Sequence, residues 1–450
     1  MSKIDDLESQ VHGTTRMIQS QLQSTTDQYQ DQYQDQYRHN TRFGVLHDDF
    51  PIMLVKGTEK NAQWTGAVTS IAISMLERGL VDAVVCIASA SSDSDYNHEH
   101  DHQNEGRMSQ LEPKPIIAKS VQDILRGRGV KPSLAPSLAV LDEIKHDPSI
   151  QRLLFCGVGC AVQAFRSPAV QDDLGLKKVY VLGTNCADNS PSSSASADFI
   201  SSGLKVDKGE LDNVKGYEFM QDFQVHVKKS SGDGDGDNDS DSDSNAIVYE
   251  KIPYFSLPGK IARSSIADSC LACFDYTNAL ADLVVGYMGA PLAESNGTGG
   301  AMDTSLQTLT VRNESGKEMV EAALVCERLE VIREASGTGK WQDFAVQTVA
   351  ADGIVAEMIG KLPNEEGMPR WIGRIVAKVV TAVGPKEMNF ASYSIDYHIL
   401  RNYLHVISEW GEERGEASMP QYAKTIVREY LDRNKEFGEL RDRVLKTRRP

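Results

Sequence analysis

RLLFCGVGCAVQAFRSPAVQDDLGLKKVYVLGTNC, residues 152–186, decides the fold. Arg152–Cys156 reads as a short apolar strand, GVGC at 157–160 as a glycine turn, Ala161–Phe165 as the start of a helix, and Lys178–Leu182 as the next strand, which runs out into GTNC at Cys186. Two strands can lie side by side in the same direction only if a crossover, usually a helix, carries the chain back between them. Strand, glycine turn, helix, strand is therefore the grammar of a parallel α/β sheet, whose ligands sit at strand carboxyl ends. Cys160 and Cys186 stand at two such ends.

The same grammar extends in both directions. QWTGAVTSIAISMLERGLVDAVVCIAS (63–89) places Ile71, Ile73, Met75 and Leu76 on a helix that Gly79 stops, followed by the apolar strand Val81–Ala88. Tyr217–Val227 and Ile247–Phe255 read as antiparallel partners across an acidic loop at 230–245, and a strand and helix follow between Leu309 and Ile332. The remainder, through Trp371–Val444, is mainly helical. The expected fold is α/β: a mixed, mostly parallel sheet core flanked by helices, with a helical C-terminal region and a disordered N-terminal tail. The expected parts are a tail over 1–42, an N-terminal α/β part over 43–145, a second α/β part over 146–325 with loop 230–245 disordered, and a helical region over 326–450. The tail assignment rests on DQYQDQYQDQY (27–37), whose composition cannot bury enough apolar surface to order itself.

Composition removes several classes of function. Hydrophobic residues make up 40% of the chain, but no apolar run approaches the roughly 20 residues of a bilayer span. Trp371–Gly384, the longest candidate, is interrupted by Arg374 and Lys378; it reads as an amphipathic helix packed on the core, with peripheral membrane contact as the alternative. A net charge of -17, six of it from aspartates between Ser230 and Asn245, argues against nucleic-acid binding, which needs clustered Lys and Arg. Seven scattered cysteines do not make a disulfide framework and point to a reducing compartment. MSKIDDLESQ at the start has neither a secretory core nor the Arg-rich character of a transit peptide. His98, His100 and His102 read as a loop rather than a metal site. DGDGDNDSDSDS (233–244) imitates a calcium loop but carries Asn238 and Ser244 where Gly and Glu are required.

Chemistry concentrates in SCLACFDYTNALADLVVGYMG, residues 269–289. Cys270 and Cys273 form a C-x-x-C that can turn two thiolates onto one metal. With Cys160 and Cys186 they make the four-thiolate set of a 4Fe-4S cluster; zinc accepts the same ligands, and ligand count leaves both open. Cys156 is a substitute or fifth thiol, whereas Cys86 and Cys326 sit in core patterns.

FCGVGCAVQAFR, YVLGTNCADN, YEFMQDFQVHVK, SCLACFDYTNALADLVVGYMGAP, VRNESGKEM and SIDYHILRNYLHV resemble, in that order, the plant and cyanobacterial branch of the deazaflavin-dependent hydrogenase beta-subunit family. That branch includes the ferredoxin-dependent 8-vinyl reductase of divinyl (proto)chlorophyllide and the 7-hydroxymethyl chlorophyll a reductase. The resemblance implies an oxidoreductase of chlorophyll metabolism with FAD, at least one 4Fe-4S cluster, ferredoxin as electron donor, a tetrapyrrole substrate and a plastid location. The first expectation is 8-vinyl reduction and the second 7-hydroxymethyl reduction. A zinc-stapled pigment-binding or electron-transfer protein is the competing class.

The resemblance also implies that Cys160, Cys186, Cys270 and Cys273 hold the cluster, and that Gln63, Thr65, Gly66, Thr69 and Ser70 meet flavin or phosphate at a helix start. The additional cysteine-rich stretch that the branch carries near its amino end is not seen, since no cysteine precedes Cys86. Proton-donor candidates are Asp275, Tyr276, Tyr397 and His398, with Asp188 and Asp282 orienting loops. Arg126, Arg128 and Lys131, or the basic end Arg441–Arg449, would supply a landing site for acidic ferredoxin.

Overall fold

The computed structural model describes residues 3–19, 41–46, 50–60, 62, 64–89, 111–230, 247–292, 301–363 and 366–447. Its centre is an eight-stranded sheet built from β1 (Met53–Gly57), β2 (Ala83–Ser89), β3 (Pro113–Ala118), β4 (Arg152–Val158), β5 (Lys178–Thr184), β9 (Leu283–Gly286), β10 (Gln307–Val311) and β11 (Leu329–Glu334). Across the sheet they run in the order β11-β1-β10-β9-β5-β4-β2-β3. The intervening strands β6 (Val214–Phe219), β7 (Gln224–Ser230) and β8 (Ile247–Pro253) form a separate antiparallel sheet.

The large sheet is mixed, as expected, but not mostly parallel. Only the contiguous block β9-β5-β4-β2 is parallel; β3 joins one edge of it antiparallel, and β10, β1 and β11 continue the other edge antiparallel. An apolar run of five residues reads alike in either direction, so periodicity found the strands without their polarity. The sheet also draws on all three expected folded parts, because β1 lies between β10 and β11.

Alternation along each central strand feeds two cores. Val84, Leu154, Leu182 and Val285 pack toward helices α2 (Ala67–Glu77) and α4 (Glu314–Val325) with Ile71, Met75 and Met319. Their neighbours Val85, Phe155, Val181 and Val284 pack the opposite way, toward Ile144, Val162 and Phe165, the last on α3 (Gly159–Phe165). Burial on both faces explains why these strands read as continuous apolar runs. Phe155 and Phe165 stack with centroids 4.1 Å apart.

The C-terminal region is helical as expected: α5 (Gln342–Ala351), α6 (Arg370–Val383), α7 (Met388–Trp410), α8 (Gln421–Arg433) and α9 (Lys435–Thr447). α7 is the hub, buried over most of its 23 residues and packed among α5, α8 and α9 through Ile399, Leu400, Tyr403, Leu404 and Ile407. No helix among the described residues is long and apolar enough to cross a membrane.

Two expectations need correction. The described residues of 1–42 are not a solvated tail. α1 (Lys3–His12) packs on the body, Arg16 pairs with Glu8 at 3.1 Å, and Arg42 pairs with Asp396 at 2.7 Å, all buried. Polar composition misled because each buried charge has its partner, which composition cannot register. The tract 27–37 lies outside the described residues, as do His98, His100, His102 and the acidic loop. Second, Tyr217–Val227 is not one strand: the chain turns at 220–223 between β6 and β7, with Phe223 at φ 55°. Neither glycine nor proline marks that turn.

Candidate cofactor and thiol site

A cavity of about 740 Å³ lies at the carboxyl ends of the four parallel strands, reached by Ile87 of β2, Val158 of β4, Thr184 of β5 and Gly286 of β9. Its volume is that of a site for a small molecule or cofactor. The start of α2 forms one wall and the loop 127–139 another, while Cys86, Cys156, Cys160 and Cys186 reach it from the strand ends.

Of the residues expected to meet a flavin, Gly66 and Thr69 line this cavity. Gly66 is obligatory there: its φ is 75°, and a Cβ would lie 2.8 Å from the carbonyl oxygen of Glu59. Thr65 and Ser70 are turned into the protein instead. The Thr65 hydroxyl accepts from the Gly57 amide at 3.0 Å, and Ser70 Oγ accepts from the Thr58 amide at 3.2 Å. Gln63 lies outside the described residues.

Lys131, expected on an external landing patch, lines the cavity. Its Nζ donates to the carbonyls of Arg128 at 2.8 Å and Gly129 at 3.2 Å, and burial lowers its pKa to about 8. No carboxylate pairs with it among the described residues. Arg128 is likewise occupied, donating to the carbonyls of Leu125 and Lys60. At the basic end, Arg441 pairs with Glu412.

The four expected thiols lie within electrostatic reach of one another. Cys186 is raised well above the ordinary thiol range by burial, then by Cys273, Cys270 and Cys160; Cys273 is pushed up to about 12 by burial and Asp275, with Cys160 and Cys270 adding to it. Cys160 and Cys186 line the cavity, and Ser269 brings the edge of the C-x-x-C turn to the same wall. Among the described residues, no three His, Cys, Asp or Glu side chains are set closely enough to hold an ion as they stand. The donor set nevertheless suits a thiolate-bound metal: four sulfurs that oppose one another's ionisation are relieved by a cation among them. Cys156 stands apart from the four: burial raises its thiol well above the ordinary range, and the thiol that acts on it is Cys86 on the adjacent strand.

Helix α7 holds this sulfur cluster of loops from behind. Asn402 Nδ2 lies 2.8 Å from the carbonyl oxygens of both Cys270 and Cys273, and its Oδ1 accepts from Arg401 Nε at 3.0 Å. Arg401 also grips Asp188 with two bonds of 2.8 and 2.7 Å, two residues beyond Cys186. Asp188 needs the grip, because it stands in the left-handed region at φ 58°. Asp282, the other expected orienting group, pairs with Arg166 and accepts from the Val181 amide at 2.8 Å. Asn278, also left-handed, donates to the carbonyl of Gly157 at 2.8 Å and so ties the YTN turn to the end of β4.

None of the four proton-donor candidates lines the cavity. Tyr276 donates to the Cys273 carbonyl at 2.8 Å, Tyr397 to Asp352 at 2.5 Å, His398 Nδ1 to the Ser394 carbonyl at 2.6 Å, and Asp275 accepts from Gln163 at 2.7 Å. The cavity wall carries Glu218 and Tyr287 instead. Burial and the Glu218 carboxylate raise the Tyr287 phenol well above its ordinary value, and its ring stacks on Trp64 with centroids 4.3 Å apart. The signal for Tyr287 was its place directly after the glycine that ends β9.

Family models for the N-terminal and C-terminal parts of the coenzyme F420 hydrogenase/dehydrogenase beta chain match residues 54–142 and 150–336, respectively. The chain is 40% identical over 430 residues to "7-hydroxymethyl chlorophyll a reductase, chloroplastic" of Oryza sativa subsp. japonica, covering 96% of this chain and 77% of that protein. It is 34% identical over 430 residues to an uncharacterized protein of Nostoc sp., covering 95% and 87%. To the coenzyme F420 hydrogenase subunit beta of Methanosarcina barkeri it is 24% identical over 237 residues, 52% of this chain and 67% of that one. With both halves of the family matched, and the strand ends, C-x-x-C turn and α7 clamp all within the 430-residue alignment to the reductase, the chain belongs to the coenzyme F420 hydrogenase/dehydrogenase beta-subunit family, in its plant and cyanobacterial branch, and is an oxidoreductase.

Proposed function

We propose that the chain is a reductase of chlorophyll metabolism that converts a 7-hydroxymethyl group on a tetrapyrrole to a methyl group, in plastids, with ferredoxin as electron donor. The observation that carries this is the shared wall: two of the four expected thiols open directly onto a cavity large enough for a cofactor. Similarity to the rice reductase over 96% of the chain favours 7-hydroxymethyl reduction and reverses the order in which the sequence motifs ranked the two pigments.

The reaction consumes two electrons and two protons and releases water from the hydroxymethyl carbon. When bound, FAD supplies two-electron storage and hydride transfer, and a 4Fe-4S centre supplies single-electron relay. The residues present suit both groups. Gly66 and Thr69 let a planar ring approach the backbone, Lys131 offers an uncompensated cation to an anionic part of the cofactor, and Cys160, Cys186, Cys270 and Cys273 would ligate the cluster. Tyr287, a phenol on the cavity wall kept protonated beside Glu218, would give a proton to the departing oxygen.

Anaerobic purification followed by assay of 7-hydroxymethyl chlorophyll a and divinyl protochlorophyllide side by side, with reduced ferredoxin, tests the reading. Brown, flavin-containing protein that turns over the hydroxymethyl pigment supports it. Colourless zinc protein would assign the chain to the stapled, non-catalytic class, and turnover of the vinyl pigment alone would restore the other substrate.

A further inference from the structure

Helix α6 carries a second, unburied apolar stripe. Its buried positions are small, Gly373 and Ala377, and a Cβ on Gly373 would press on Ser256 Oγ and come within 3.1 Å of Pro253. Ile372, Val376 and Val380 are half-buried, Val380 against the helical core, but four bulky apolar residues point away from the body: Trp371 is 66% exposed, Ile375 55%, Val379 56% and Val383 68%. Spaced four residues apart, they make one continuous stripe, and Met368, just before the helix start, is exposed as well. A helix packed on a core shows the opposite arrangement.

Arg374 and Lys378 flank the stripe along one margin, both exposed and without a carboxylate partner among the described residues. Arg370, one turn earlier, is neutralised by Glu250 at 2.9 Å. On a chain of net charge -17, two uncompensated cations beside an apolar stripe are a local reversal of sign.

We propose that this face of α6 docks on an anionic lipid surface, lying in the plane of the headgroups. Trp371 suits the apolar–polar boundary, and Arg374 and Lys378 can lay their stems along the stripe while their charges reach lipid phosphates. Charge decides against a second copy of the chain: pairing two α6 stripes would crowd Arg374 and Lys378 against their own counterparts, with no acidic residue on the exposed face of the helix to oppose them. The inference does not depend on which pigment is reduced.

Sedimentation of the full chain with phosphatidylcholine vesicles, with and without phosphatidylglycerol, tests it. The chain should pellet with the anionic vesicles and not the neutral ones. Replacing both cations, Arg374→Gln with Lys378→Gln, should weaken the partition roughly thirty-fold, since each basic residue near an anionic surface contributes about one kcal/mol. Ile375→Asp with Val379→Asp should abolish it, and because both sites are exposed the melting temperature should hold; if that variant does not fold, the glutamine pair decides. No pelleting of the wild-type chain, or equal pelleting of wild type and the glutamine pair, overturns the proposal. So does a wild-type oligomer that the aspartate pair converts to monomer without any vesicle binding, which would make the stripe a contact between copies.

Discussion

Asn402 on helix α7 places its side-chain amide 2.8 Å from the carbonyl oxygen of Cys273, more than a hundred residues away in sequence. The same nitrogen reaches the Cys270 carbonyl at 2.8 Å, so one amide holds both ends of the C-x-x-C turn. Asn402→Asp would set carboxylate oxygens against two carbonyls that each keep one other donor, the Tyr276 hydroxyl for Cys273 and the Cys273 amide for Cys270, and would remove two hydrogen bonds worth about 1 kcal/mol apiece. Iron and acid-labile sulfide per chain should fall by more than half in this variant, and the thermal midpoint should drop. Full iron occupancy in Asn402→Asp would mean that the turn is held without the clamp.

Lys131 makes a separate prediction. An ammonium lowered to about 8 by burial, which donates to backbone carbonyls and meets no carboxylate among the described residues, would be stabilised by an anion in the cavity. Lys131→Met should lower flavin retention about ten-fold, the scale of one charge-assisted hydrogen bond, and Lys131→Arg should recover part of it. Equilibrium dialysis against FAD reads this directly, apart from activity.

Much of the site was legible in residues 152–186 and 269–289, because a strand, a glycine turn and a loop cysteine are local patterns. Gly66 stood out for a similar reason. What stayed hidden was partnership across the chain. Lys131 looked like a surface cation until the loop 127–139 folded it inward, and Arg401 and Asn402 were two polar letters among several in α7. The repetitive tract 27–37 set the reading of the first segment, and nothing local marked Arg16 and Arg42 as buried ions with counterparts at Glu8 and Asp396. Polar residues that act through distant partners leave no periodic trace.

Tyr287 is expected to act on the chemical step rather than on binding. Its phenol faces the cavity beside Glu218 and is kept protonated by burial. Tyr287→Phe should leave the flavin spectrum and pigment affinity close to wild type while lowering kcat about 10²-fold, the lower end for loss of a general acid. An unchanged kcat would move the proton donor to another group on the wall.

The Asp396 carboxylate accepts from Arg42, from the Trp341 ring nitrogen at 2.9 Å and from Tyr430 at 2.6 Å, all buried. Asp396→Ala takes the 2.7 Å carboxylate away from the buried Arg42 cation and leaves it Glu429 at 3.4 Å. Breaking a buried pair from one side costs about 3–5 kcal/mol, so chemical denaturation should show a loss on that scale. Asp396→Ala with Arg42→Met should recover part of it, because the buried cation is then gone while the Trp341 and Tyr430 donors still lack their acceptor.

His12 gives the acid limb of stability a specific source. Its Nε2 donates to the Ala279 carbonyl at 2.9 Å, and its Nδ1 accepts from Asn313 at 3.2 Å, so a second ring proton would meet an N–H group. Burial, with Arg312 close by, lowers its pKa from 6.5 to about 3. The unfolded chain therefore takes up a proton at His12 before the folded chain does. The stability that the neutral ring contributes is complete above pH 6.5 and is lost as pH falls from there toward 3, by at most about 1.4 kcal/mol per pH unit. Denaturant titrations between about pH 7 and pH 4.5 should show this slope in wild type and a shallower one in His12→Gln, whose amide can still donate to Ala279 but does not titrate. Parallel slopes would place the proton uptake on other groups and leave the His12 ring without a role in the acid response.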